Sequence, residues 1–152
     1  MRVVLQRTER AAVRVDGDVV GSVGRGALVL LGVLDGDDEA IAERLAAKVA
    51  SFRFFADAEG RMNRSAQDLQ AAGEEVGLLV VSQFTLAADG RKGRRPSFDQ
   101  AAAPEAAEPL YQHFCRLLQG AGLTVETGVF GAQMAVELVN DGPATFVLDE
   151  PA

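Results

Sequence analysis

The apolar run Ala27-Leu28-Val29-Leu30-Leu31-Gly32-Val33-Leu34 constrains the fold of this chain more than any other stretch. It falls far short of the roughly 18–20 residues that a membrane-crossing helix needs. Rich in branched aliphatics and closed by the turn-forming Asp35-Gly36-Asp37, it reads as a strand buried on both faces. Residues 76–84 make a second such run.

Other strands surround these two. Residues 3–8 and 12–16 read as strands, and the Asp16-Gly17-Asp18 turn leads into a third at 19–23, Asp-Gly being a strong hairpin signal. Asp37 or Asp38 can cap a helix in which Ile41, Leu45, Val49 and Phe52 form one apolar face. Residues 53–56 predict a short strand ending in a turn at 57–60, and the polar stretch 62–75 reads as a loop. A second helix is expected over 105–120, with Leu110, Phe114, Leu117 and Leu118 inward and Pro109 in its first turn, where a missing N–H costs least. Residues 123–127, 133–139 and 144–148 predict closing strands, and Met134, Val136 and Leu138 share a face opposite Glu137. Strands that do not alternate regularly with two main helices argue for one α+β domain over residues 1–152, with a largely antiparallel sheet.

Composition bounds the chemistry. With 48% hydrophobic and 24% charged residues, the chain is an ordinary globular domain. No leader-like or membrane-spanning segment is apparent, and the single cysteine, Cys115, leaves no internal disulfide, so a reducing cytoplasm is the expected compartment. Fifteen basic against 22 acidic residues disfavour a general nucleic-acid binder, and no DNA partner is expected. Yet Arg91, Lys92, Arg94 and Arg95 fall within five positions, a concentrated basic loop that could hold a local phosphate in an otherwise acidic protein. The only histidine, His113, reads as a solvent-facing helix residue. A zinc site or a histidine-based triad is therefore implausible, and neither a metal nor a cofactor is expected. An enzyme built from this chain would rest on hydroxyls, backbone amides or the substrate's own groups.

Two segments carry the remaining polar chemistry. Ser82-Gln83-Phe84-Thr85-Leu86 places hydroxyls, an amide and an aromatic ring at the end of a buried strand, just before the basic loop and Arg95-Pro96-Ser97-Phe98. A polar strand end entering a loop is the plain alternative. Asn140-Asp141-Gly142-Pro143 reads locally as a hairpin turn, although a proline after glycine can be cis and would then aim its neighbouring carbonyls in a rigid direction.

Taken together, Ser82-Gln83-Phe84-Thr85-Leu86, Arg95-Pro96-Ser97-Phe98 and Asn140-Asp141-Gly142-Pro143-Ala144-Thr145 resemble the motifs of the D-aminoacyl-tRNA deacylases. Gln6-Arg7, Ala11-Ala12-Val13 and Met62-Asn63 fit the same resemblance, which spans the whole chain in order. Departures are small: Thr8 and Ala144 stand where valine is more usual, and the 64–75 loop is longer. The resemblance implies a barrel-like homodimer that hydrolyses the ester between a D-amino acid, and also glycine, and the terminal adenosine of tRNA. It implies catalytic-site roles for Ser82, Gln83, Phe84 and Thr85, with Thr85 positioning substrate more readily than attacking it. Gly142 and Pro143, as a cis pair from the partner subunit, would exclude L-amino acids, and Arg7 would hold that loop. Phe98 and Met134 would line the adenine pocket, and Arg91, Lys92, Arg94 and Arg95 would meet phosphates of the CCA end. A non-catalytic module for the tRNA 3′ end is the alternative.

Overall fold

The computed structural model describes residues 1–91 and 93–151. Its organising element is β1 (Arg2–Val15), one continuous strand where the sequence suggested two. The exposed Glu9 and Arg10, which look like a break, lie where β1 passes from one partner to the next. Its first half pairs antiparallel with β3 (Gly26–Gly32), and its second half pairs antiparallel with β2 (Asp18–Val23). On the other side β8 (Ala135–Asp149) runs antiparallel along nearly all of it, from Arg2 opposite Asp149 to Arg14 opposite Ala135.

The sheet continues from β3 to β6 (Gly77–Ser82) and β7 (Thr124–Thr127), and these pairings are parallel. The sheet is thus mixed: its pairings about β1 are antiparallel as expected, and those of β6 are parallel. Tight turns force antiparallel neighbours, whereas the long helical connections from β3 to β6 and from β6 to β7 allow parallel ones. The chain order β2-β1-β3-β6-β7 curls until Gly21 of β2 meets β7; a Cβ there would collide with the Thr127 carbonyl. The result is a nearly closed barrel.

Among the described residues three α-helices accompany the sheet, one more than expected. In α1 (Glu39–Ser51), the Asp38 carboxylate accepts the Ile41 amide at 2.9 Å, and Ile41, Leu45 and Val49 are buried as predicted. After the short strands β4 (Phe55–Ala56) and β5 (Met62–Arg64) comes α2 (Ala66–Ala71), inside the stretch read as a loop. Its signal was local: the Ser65 side chain accepts the Asp68 amide while Asp68 accepts that of Ser65, a reciprocal cap that needs little apolar surface. The long helix α3 (Pro104–Gly120) starts with Pro104, so Pro109 sits inside it and not in its first turn. Pro109 is exposed, so water can satisfy the Glu105 carbonyl that its missing N–H leaves free.

The side chains of β3 and β6 alternate between two apolar clusters, as a pleated strand requires. Val29, Leu31, Leu78 and Val80 join α1 and α3 in the main core with Leu45, Phe54, Phe114 and Leu118. Leu28, Leu79 and Val81 face the other way, toward Ala11 and Val13, with Met134, Val136 and Leu138 half-buried over them. His113 is not solvent-facing: it is half-buried on α3, with Nε2 3.9 Å from Glu43 of α1. No helix among the described residues is long and apolar enough to cross a membrane.

Candidate active site

Strand β6 carries its buried residues up to Val81 and then delivers polar groups to the surface. Ser82 and Gln83 are half-buried, and Phe84 and Thr85 are exposed at the start of a 3₁₀ turn, Phe84–Ala87. The Gln83 amide donates to the Leu31 carbonyl at 2.8 Å, which anchors the turn to β3. Gln83 Nε2 donates to Thr85 Oγ1 at 2.6 Å, fixing the threonine hydroxyl. The first amides of such a turn have no carbonyl one turn earlier to bond. Accordingly, among the described residues the amides of Phe84 and Thr85 donate to no backbone carbonyl outside the turn.

These residues line a cavity of about 730 Å³. Its other walls are the first turns of α3, at Pro104 and Ala107, and the segment from Phe130 to Met134 that leads from β7 into β8. Met134 thus lines the same cavity as Ser82, Gln83, Phe84 and Thr85. Phe98 is not among the lining residues, but its ring meets that of Phe84 edge-on, centroids 5.1 Å apart. The residues contributed by α3 and by 130–133 were not singled out from sequence. They are small or apolar side chains far along the chain, without any motif of their own.

The basic loop divides. Asp89 and Ser97 exchange backbone hydrogen bonds at 2.8 and 2.9 Å, closing its base. Inside it, Asp89 binds the Arg91 guanidinium at 2.6 Å and the Arg91 amide at 2.9 Å. The guanidinium holds the Asp89 carboxyl down at about 2. Arg91 is thus internally paired, whereas Arg94 and Arg95 are exposed and, among the described residues, within ion-pair distance of no carboxylate. Lys92 lies outside the described residues.

Asn140–Pro143 is not a hairpin corner. β8 runs straight through it, and Gln6 faces Thr145 while Thr8 faces Asn140, so residues 141–144 bulge out of the ladder. The Asn140 side chain replaces the missing rungs: Nδ2 donates to the carbonyls of Arg7 and Ala144 at 2.9 Å each, and Oδ1 accepts the Ala144 amide at 3.1 Å. The Gly142-Pro143 bond is cis, and both residues are exposed. Gly142 has φ +147°, and a Cβ on it would stand 2.7 Å from the Ala144 nitrogen. Arg7 braces the bulge, Nε donating to the Asp141 carbonyl at 3.0 Å and Nη1 to that of Phe54 at 2.7 Å. Neither Gly142 nor Pro143 lines the cavity of its own chain.

Fold and site therefore define a small α+β protein whose cavity offers hydroxyls, an amide and unpaired backbone donors at a strand end. Over residues 4–149 the chain matches the family described as D-Tyr-tRNA(Tyr) deacylase, and it belongs to that family. The D-aminoacyl-tRNA deacylase of Symbiobacterium thermophilum is 56% identical to it, over 98% of this chain and 95% of that protein. That of Thermomicrobium roseum is 57% identical, over 98% and 94%. Among solved structures, one described as c-Myc DNA Unwinding Element Binding Protein superposes with a TM-score of 0.90 at 38% identity, covering all of both chains. A probable eukaryotic D-amino acid tRNA deacylase shares the fold at a TM-score of 0.80 and 22% identity, over 97% of this chain and 98% of that one.

Proposed function

We propose that this protein hydrolyses the ester joining a D-amino acid to the 3′-terminal adenosine of tRNA, a cytoplasmic proofreading reaction. The observation that carries it is that Phe84 and Thr85, whose amides donate to no backbone carbonyl outside their turn, line the cavity of about 730 Å³ in a chain more than half identical to D-aminoacyl-tRNA deacylases over 98% of its length. Water adds to the ester carbonyl, the tetrahedral intermediate collapses, and the ribose oxygen leaves with a proton. An aminoacyl ester is already activated, and the adjacent ribose 2′-OH can relay that proton. The protein then needs chiefly to orient the ester and stabilise the oxyanion, each amide contributing about 3–4 kcal/mol to the transition state. Thr85, held by Gln83, positions the substrate; no histidine stands by to activate it as a nucleophile. Ser82 completes the polar strand end.

Phe98 and Met134 flank the terminal adenine, and Arg94 and Arg95 meet the phosphates before it, with Arg91 ordering their loop. The protein works as a homodimer. The exposed cis Gly142-Pro143 pair of the partner subunit, braced by that subunit's Arg7, enters the cavity and fills the space an L side chain needs. A D side chain points out to solvent, and glycine, with nothing to exclude, is also cleaved. Release of tyrosine from D-tyrosyl-tRNA and L-tyrosyl-tRNA by the purified protein tests this reading. Rapid cleavage of the D ester alone is expected. Equal rates on both, or tRNA binding without hydrolysis, overturns it.

A further inference from the structure

The three walls of the cavity meet at one buried side chain that none of the motifs includes. Val80 forms the last rung between β6 and β7, opposite Thr127. Beyond it the strands part: β6 goes on to Ser82 and the turn after it, and the segment following β7 leaves through Gly128 toward Phe130 and Met134. At that fork the Val80 carbonyl accepts two hydrogen bonds, from the Gly128 amide at 3.1 Å and from Tyr111 Oη at 2.9 Å. Tyr111 lies one helical turn after Ala107, which lines the cavity, and its ring packs at 5.9 Å against Phe130, which lines it too. One side chain, only 5% exposed, thereby joins α3, the end of β6 and the 130–134 segment.

We infer that Tyr111 is a positioning residue for the deacylation site: its hydroxyl bond to Val80 and its ring against Phe130 set the spacing between the strand end that presents the Phe84 and Thr85 amides and the opposite wall. It touches no reacting atom and acts through backbone. Burial holds the phenol far above its ordinary ionisation range, so the donor is present throughout the working pH range. Rigid walls matter because an oxyanion donor displaced by a fraction of an ångström loses much of its effect in the transition state while ground-state binding changes little. Removing the hydroxyl should therefore appear in kcat and not in KM.

The inference rests on the deacylase reading, and the test separates the two. Steady-state cleavage of D-tyrosyl-tRNA is compared for the natural protein, Tyr111→Phe and Phe114→Leu, well below their unfolding midpoints. Phe114 is a fully buried neighbour on the same helix that does not line this cavity, so its variant controls for general loosening. Expected is a kcat about five- to tenfold lower in Tyr111→Phe with KM within twofold. In Phe114→Leu a lower midpoint with kcat unchanged is expected. A Tyr111→Phe kcat within twofold of the natural protein, or equal losses in the two variants, overturns the inference while leaving the deacylase reading intact. Absence of cleavage by the natural protein removes both.

Discussion

Replacing Thr8 by valine puts the packing of β1 against β8 to a quantitative test. Thr8 is fully buried, lies opposite Asn140 beside the bulge, and its Oγ1 has no hydrogen-bond partner. Asn140 spends its side-chain donors and acceptor on Arg7 and Ala144, so it does not relieve the hydroxyl. A hydroxyl buried without a partner costs about 1–3 kcal/mol in proteins. The methyl group that replaces it adds up to about 0.8 kcal/mol of apolar burial. Valine has the same shape and branching at Cβ, so neither cavity nor rotamer entropy opposes the gain. Thr8→Val should therefore stabilise the fold by about 1–3 kcal/mol, each kcal/mol raising the thermal midpoint by about 2–4 °C in a chain of this size. Urea unfolding at fixed protein concentration measures it, as a higher midpoint at unchanged slope. A lower or unchanged midpoint refutes the reasoning, because it means that Oγ1 is already satisfied in solution.

Gly142→Ala forces a side chain into φ +147° and against the Ala144 nitrogen, so a loss of about 1–3 kcal/mol in stability should accompany loss of D-tyrosyl-tRNA cleavage. Full activity in that variant would remove the bulge from the site. The Asp89–Arg91 clasp depends on an ionised carboxylate whose folded-state pKa is depressed to about 2. Its contribution is complete above the ordinary aspartate range and lost only as pH falls through that value. The Arg91 amide resonance should consequently hold its position from neutrality down to about pH 3 and reach the middle of its shift near pH 2; a transition near pH 6 would contradict the pairing.

The sequence by itself determined whatever depends on neighbours along the chain. Alternating or continuous apolar runs located β2, β3, β6 and α1, and the abrupt change after Val81 marked the polar strand end, because burial ceases there within a residue or two. Motif order alone pointed to the family that comparison over residues 4–149 established. Tertiary structure decided the rest. Whether β6 lies parallel or antiparallel to β3 depends on how the intervening helices carry the chain across the sheet, which no local pattern encodes. Asn140–Pro143 has the composition of a turn, yet it bulges from an unbroken strand because the Asn140 side chain bridges the Ala144 carbonyl of its own strand and the Arg7 carbonyl across the ladder, the latter 133 positions away. In the same way Arg91 looked equivalent to Arg94 and Arg95 until Asp89 was seen to claim it. Tyr111 carried no signal at all. Its meaning comes from standing where three chain segments converge, and convergence is a property of the folded state alone.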